Sequence, residues 1–444
     1  MSFTSGQLAQ YVHGALIGPA DTLCCGAEID TREAISGKVF FALKGTQTDG
    51  HDFVGKAVEN GCSAVVVERV LDDHDVTVPA IIVEDAKRAL LQLAEARRAV
   101  MEFESVIAVT GSVGKTTTKD FVASLLGETA IASRRSFNND LGVPLTILNG
   151  ESAVFLIAEV GANDIGEIEP LAHVVRPDIA ILTSIEKAHL EGFGNTETVL
   201  REKAKLLQAV HRDGIVVIPD TLDVSGCKID ARQIKVGKTS TADVRIETAI
   251  NSEGFAMLTM EGSTVTLSML GEHNAMNAAL ALVAAKHANP NISVMTLLDR
   301  ASSTCAADGR LCKIEVGGIV FLDDSYNANP ASMRSAMELF AKLKATRKVL
   351  VLGDMLELGE NSHAEHRLLA SVIEKAAADL VILVGEAMQE ALGSYAAICV
   401  STTEELDTLH AFLKPNDLVL LKGSRSLHLE RIVESVRNSK VLEH

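Results

Sequence analysis

The sequence predicts an α/β protein of three domains: a central parallel-sheet P-loop ATPase domain, a small N-terminal α/β domain and a C-terminal Rossmann-like domain. Three observations carry this. Short apolar runs alternate with helical stretches from residue 106 to about 218, and the same alternation restarts near residue 309. A chain of 444 residues that is 47% hydrophobic and only 4% aromatic has the length of about three domains and the composition of well-buried sheets. The segment VIAVTGSVGKTTTKD at 106–120 reads as a buried strand, a glycine-bearing turn and the start of a helix, an order of elements that makes a phosphate site.

Residues 1–100 form the first unit. Val39–Leu43 and Ala64–Val67 are apolar strands on either side of a helix over Phe53–Asn60, and a helix over Ala86–Met101 leads out. The loop Lys44–His51 is polar and glycine-bearing, and reads either as a ligand-facing loop or as plain surface. Residues 101–308 form the second unit. Its strands are Val106–Val109, Val154–Glu159, Ile179–Thr183 and Ile215–Ile218, with helices over Gly166–Val174 and Glu197–His211 between them. This βαβ order predicts a parallel sheet with its ligand crevice at the carboxyl ends of the strands. Between Val244 and Leu270 the pattern becomes alternating β, turning at Glu261-Gly262, and a helix over Asn274–His287 closes the unit. Residues 309–444 form the third, with strands Ile319–Asp323, Lys348–Gly353, Leu380–Gly385 and Leu418–Lys422 and a helix over Ala331–Lys344.

Charge narrows the function classes. With Lys+Arg 41 against Asp+Glu 59 the formal net charge is −18, which argues against a nucleic-acid or anionic-membrane surface. An anionic substrate must then be gripped by a few placed cations. No basic segment followed by an apolar core opens the sequence, and no apolar run approaches a membrane span, so a cytoplasmic protein without membrane insertion is expected. The seven cysteines lack metal-site or redox spacing and are expected to be inert.

The chemistry concentrates on a few segments. In the phosphate loop, Gly111 and Gly114 allow backbone N–H groups to close on phosphate oxygens, Lys115 adds a point charge for the β- and γ-phosphates, and the Thr116 hydroxyl suits Mg²⁺. Val109 stands where the general P-loop template has glycine, so the match is to the shorter TGxxGKT form. No N-K-x-D segment follows, which points to ATP rather than GTP. Glu159 ends the adjacent strand and is placed either to hold a metal or to pair locally. His189 lies in the irregular segment IEKAHLEGFG, where an imidazole suits a metal or phosphate partner as well as a plain loop. Lys203 reads by itself as a solvated helix lysine beside Arg201, Glu202 and Lys205. In DDSYNANP at 323–330 two acids leave a strand for a loop with two asparagines, either a ligand loop or a capped turn. Arg310, just past the linker, is positioned to reach back across an interdomain cleft to a γ-phosphate. His363 and His366, three residues apart beside Glu365 and Arg367, are assigned to a solvated helix face.

Taken together these segments resemble the Mur ligases, and within them the MurF type. The resemblance covers nearly the whole chain: TGSVGKTTTK at 110–119, SFNNDLGVP at 136–144, AEVGAN at 158–163, AHLEGFG at 188–194, GEHNAMNA at 271–278, DDSYNANP and LGDMLELG at 352–359. The D-[ND]-P-R motif of the diaminopimelate- or lysine-adding branch is absent. The resemblance implies ATP-dependent ligation of D-alanyl-D-alanine to UDP-N-acetylmuramoyl-tripeptide through an acyl phosphate. With it come a place in peptidoglycan synthesis, and so in cell-wall biogenesis, cell shape and division, and a monomeric enzyme. The diaminopimelate/lysine-adding and folylpolyglutamate-type ligases are the alternatives.

Residue by residue, the resemblance implies that Thr110, Gly111, Ser112, Val113, Gly114, Lys115, Thr116 and Thr117 bind ATP, and that Thr116 and Glu159 hold a first Mg²⁺. His189 would hold a second, and Lys203 would be the lysine carbamylated by CO₂, which turns an ammonium into an oxygen ligand. Asn277 would read adenine, Arg310 the γ-phosphate, and Asp324, Tyr326 and Asn327 the nucleotide from the third domain. Thr31, Arg32, Asp49 and His51 in the first domain, with Asn138, Asn139 and Asn329, would bind the substrates.

Overall fold

The computed structural model describes residues 2–45, 48–70, 77–150, 153–187, 190–401 and 404–441. Three large sheets organise the chain in a mixed α/β topology, beside a two-stranded pairing of Phe3–Thr4 with Leu23–Cys24. In the first, Ala27–Glu28, Val39–Phe41, Ala64–Val67 and Ala80–Ile82 run parallel, and Ala15–Ile17 closes the far edge antiparallel.

The second sheet has nine strands. Ala130–Ala132, Phe155–Glu159, Ser105–Thr110, Ile179–Leu182, Ile215–Pro219, Arg232–Gly237 and Val244–Ile250 are parallel in that spatial order. Two antiparallel strands, Phe255–Met260 and Ser263–Leu270, extend it. Their turn, Glu261-Gly262, has φ of 50° and 77°, the left-handed pair whose twist suits a tight hairpin. Ser105–Thr110 is the third strand in that order, with Phe155–Glu159 on one side and Ile179–Leu182 on the other. The chain therefore reverses its winding direction at the strand that feeds the phosphate loop, which opens a crevice there.

The third sheet orders Cys312–Val316, Ile319–Asp324, Asp417–Lys422, Arg347–Gly353, Leu380–Val384 and Ile398–Val400, all parallel except the first pair. Register places Asp324 directly beside Lys422.

The domains join in two different ways. The helix Ala86–Arg98 of the first packs on Gly142–Leu148 of the second, and Leu90, Leu93 and Ala94 share one buried apolar cluster with Val143, Leu145 and Leu171. The third domain has two clusters, one of which takes in Leu270 of the second and is packed by Ile250 and Phe255, and beside this patch a cavity opens between the two domains. The predicted solvated face at 363–366 is corrected here. His366 is fully buried; its Nε2 accepts the Met355 N–H at 3.0 Å, and its Nδ1–H donates to the Ser362 carbonyl at 2.7 Å. Only His363 of the two is exposed.

Candidate active site

The phosphate loop takes its shape from two glycines. Gly111 has φ of 149°, and a Cβ there would lie 2.0 Å from Thr183 Oγ1; Gly114 has φ of 86°, and a Cβ would lie 2.6 Å from Asn277 Oδ1. Any side chain would break the turn. Gly114 caps the helix Lys115–Leu126 without a side-chain hydrogen bond, so the first backbone N–H groups keep the partial positive charge that attracts phosphate. Lys115 folds over the loop and donates to the Gly111 carbonyl at 2.8 Å and the Ser112 carbonyl at 3.3 Å. Burial, the first cause, and then Arg310 push its pKa down, while Glu159 opposes the shift.

A cavity of about 640 Å³ opens above the loop, lined by the central domain on one side and the third on the other. Of the predicted residues it gathers Ser112, Val113, Gly114, Lys115, Thr116, Thr117, Asn138, Asn139, Glu159, Asn277, Arg310, Asp324, Tyr326, Asn327 and Asn329. Thr110 and Gly111 sit just beneath, buried at the end of the strand Ser105–Thr110. His189 lies outside the described residues.

Glu159 is 1% exposed; its Oε1 accepts from Asn138 Nδ2 at 2.8 Å, and its Oε2 has no hydrogen-bond partner among the described residues. Lys203, also 1% exposed, has no hydrogen-bond partner for its Nζ among the described residues, and the Phe193 ring lies 5.9 Å away. Desolvation first, and the Lys115 charge second, push its pKa down to about 7, although Glu202 and Glu167 oppose the shift. The solvated helix lysine of the bare sequence reading is thus a buried amine, held close to its neutral form at physiological pH.

Arg310 reaches across the cavity. Its Nη2 donates to Ser136 Oγ at 2.9 Å, and its guanidinium lies 4.2 Å from the Tyr326 ring centroid. Asp324 accepts from Lys422 Nζ at 2.6 Å, and the same ammonium donates to the Asn327 carbonyl at 3.0 Å. Asn329 caps the helix Pro330–Lys342 with a reciprocal Ser332 bond, so there the capped turn and the cavity wall are one feature. Asn139 likewise accepts the Gly142 N–H at 3.0 Å.

The first-domain residues lie apart from this cavity. Arg32 is ion-paired with Asp30 at 2.6 Å and extends into solvent, and the Thr31 carbonyl accepts from Asn60. Asp49 holds the His51 N–H and its Nδ1–H and pairs with Arg69 at 3.0 Å, while His51 Nε2 accepts the Glu68 N–H at 2.9 Å. Both imidazole nitrogens are engaged, so His51 fixes its own loop. Sequence reasoning missed Ser136, His273 and Lys422, which also line the cavity. Ser136 and His273 each lay inside a quoted motif, and Lys422 ended a predicted strand.

The comparisons with known proteins match this arrangement along its length. A Mur ligase middle-domain model matches residues 109–285, a Mur ligase glutamate ligase domain 309–425, and a Mur ligase family catalytic domain 26–113. A relative from Haemophilus influenzae named UDP-N-acetylmuramoyl-tripeptide--D-alanyl-D-alanine ligase is 35% identical over 97% of this chain and 98% of its own. The chain belongs to the Mur ligase family. A crystal structure of MurF from Acinetobacter baumannii superposes with a TM-score of 0.84 at 32% identity, covering 99% of both chains. A MurF ligase from Thermotoga maritima in complex with ADP gives 0.79 at 26% identity, over 95% of this chain and 99% of that one. Membership in this three-domain family accounts for a cavity walled by two domains, since both walls carry residues matched by family models.

Proposed function

We propose that this Mur ligase joins the amine of D-alanyl-D-alanine to the terminal carboxylate of UDP-N-acetylmuramoyl-tripeptide with ATP, making the pentapeptide precursor of peptidoglycan in the cytoplasm, as a monomer. One observation carries the chemistry. Lys115 and Glu159, whose Oε2 has no hydrogen-bond partner among the described residues, face Arg310 and Asp324 across a single cavity with a phosphate loop at its base, and the buried Lys203 amine lies close enough behind the loop to feel the Lys115 charge. The names of the relatives supply the substrates. DDSYNANP and LGDMLELG favour this branch over the diaminopimelate/lysine-adding and folylpolyglutamate-type ligases. We place the domain limits at 1–100, 101–308 and 309–444, the first holding the uridine-diphosphate end through the loops of Thr31, Arg32, Asp49 and His51.

The donor set fits Mg²⁺. Glu159 Oε2 is a buried acceptor lacking a partner, Thr116 offers a hydroxyl, and Lys203 becomes an oxygen donor once its near-neutral amine has taken up CO₂ and lost a proton. Bound there, with His189 for a second ion, Mg²⁺ would neutralise phosphate charge.

The chain's own groups do the rest. The helix start at Gly114–Lys115 and the Lys115 ammonium hold the β,γ-phosphates, and Arg310 screens the γ-phosphate as the anionic carboxylate approaches. The carboxylate oxygen attacks phosphorus and ADP leaves, which yields the acyl phosphate. The free amine then attacks the acyl carbon; the tetrahedral intermediate expels phosphate and loses a proton, leaving the amide. Asp324, anchored by Lys422, and Asn277 orient the nucleotide from opposite walls. The test is ADP release with MgATP and UDP-N-acetylmuramoyl-tripeptide, with and without D-alanyl-D-alanine, and mass detection of the pentapeptide. Release only with the dipeptide is expected; release without it, or a product carrying a free diamino acid, would sink the reading.

A further inference from the structure

Ser136 Oγ sits 3.1 Å from Thr116 Oγ1 and 2.9 Å from Arg310 Nη2. Thr116 belongs to the phosphate loop and Arg310 to the third domain, so one hydroxyl bonds both sides of the cleft. The segment that carries it is held from below by Lys119. This lysine is 3% exposed, and its Nζ donates to the Ser133 carbonyl at 2.9 Å and the Arg135 carbonyl at 3.1 Å, with Asp120 Oδ1 at 2.5 Å. All three ammonium donors are therefore used inside the fold. Arg135 adopts φ of 47°, a left-handed turn that brings Ser136 over Thr116, and two residues on Asn138 donates to Glu159. The segment thus touches three of the groups assigned above to the metal and the γ-phosphate, Thr116, Glu159 and Arg310.

We infer that Ser136 is a positioning residue that couples the third domain to the phosphate loop, setting Arg310 for the γ-phosphate, and that Lys119 holds it in place. The inference rests on the nucleotide reading above. The Ser136 hydroxyl accepts a hydrogen bond from the guanidinium and shares another with Thr116, so the approach of Arg310 and the orientation of Thr116 are set by one atom. Asn277, assigned above to adenine, is not among its partners. The coupling therefore acts on the γ-phosphate and leaves the nucleoside alone.

The test is calorimetric binding of ADP and of a non-hydrolysable ATP analogue, each with Mg²⁺, to wild-type protein and to Ser136→Ala, Ser136→Thr and Lys119→Met. In Ser136→Ala the preference for the ATP analogue over ADP should fall about tenfold, as expected for the loss of a hydrogen bond to a charged group, with ADP affinity within about twofold of wild type. Ser136→Thr keeps the hydroxyl and should restore the preference. Lys119→Met should lower the same preference and also lower the melting temperature, because two buried carbonyls lose their donor. An unchanged preference in Ser136→Ala, or an equal loss for both nucleotides, would overturn the coupling. If wild-type protein bound neither nucleotide, the ligase reading itself would fall, so the two failures are distinguishable.

Discussion

The two junctions of this chain have opposite physics. Between the first and central domains, Leu90, Leu93, Val143 and Leu145 lie in one dry cluster, and polar links reinforce it: Arg98 donates to the Val175 carbonyl at 3.0 Å and Asn149 to the Ala27 carbonyl at 2.9 Å. Between the central and third domains an apolar patch at Leu270 and Phe255 gives way to a cavity crossed by single polar bonds, Arg310 to Ser136, Lys187 to Glu365 and His273 to Ser335. Apolar burial is non-directional and costly to open, whereas a few hydrogen bonds, each worth about 1 kcal/mol net, are exchangeable for bonds to water or substrate. The first junction should behave as one body, and the second as the place where closure assembles the site.

The sharpest test of that contrast is Arg310→Ala. It should lower kcat by about 10³-fold, the usual scale for a cation on a transferring phosphoryl group, with the melting temperature within about 1 °C of wild type. A large stability loss would mean that the second junction is as load-sharing as the first. Leu93→Ala is the converse. It empties a fully buried position in the shared cluster and should cost about 2–5 kcal/mol in denaturant unfolding, with both domains unfolding in one transition. Two separate transitions would break the picture of a single body.

How much of this was legible in the sequence depended on how local the cause was. The phosphate loop is a property of consecutive residues, and the chain turns at the glycines where the pattern says it must. Lys203 was opaque, because helical periodicity tells which residues share a face and not what covers that face. The same reason explains His366, buried by the N–H of Met355 eleven residues back. Ser136 stood in a quoted motif, but its bridging contacts could not be read, since its partners stand 20 and 174 residues away. Lys422 needed strand register, which no apolar run reveals.

Lys203 is buried on the helix Thr196–Gln208 of the central domain, on the side of the molecule joined to the first domain by the apolar junction. Its pKa is depressed in the folded state, so the sign runs opposite to that of a salt-bridged lysine. Below about pH 7 the folded protein carries a buried ammonium with no hydrogen-bond partner among the described residues, and is destabilised. As pH rises from about 7 toward the ordinary lysine value of 10.5, only the unfolded chain stays protonated, and stability increases. The free base is also the form that takes up CO₂. At constant ¹³C-bicarbonate a carbamate signal should grow about tenfold relative to all uncarbamylated Lys203 between pH 6 and 7.5, as the neutral fraction rises, and be absent in Lys203→Met. A pH-independent signal would remove Lys203 from the metal set.

The smallest expected effect tests the second junction directly. Lys187 bonds Glu365 at 2.8 Å across the domains; the lysine is 53% exposed and the carboxylate only 6%. Glu365 Oε2 has no hydrogen-bond partner among the described residues, so Lys187 is the cation on an otherwise buried acid. Removing the two partners is therefore not symmetric. Lys187→Met leaves a buried charge facing the cleft and should favour opening by about 1–2 kcal/mol, whereas Glu365→Gln leaves a half-exposed ammonium that water can solvate and should cost about 0.5 kcal/mol or less. The double variant should recover most of the Lys187→Met loss. Small-angle scattering with saturating ATP analogue and UDP-tripeptide measures the closed fraction. Equal effects of the two single variants would show that the pair is solvent-screened and that closure rests on Arg310 and Ser136 instead.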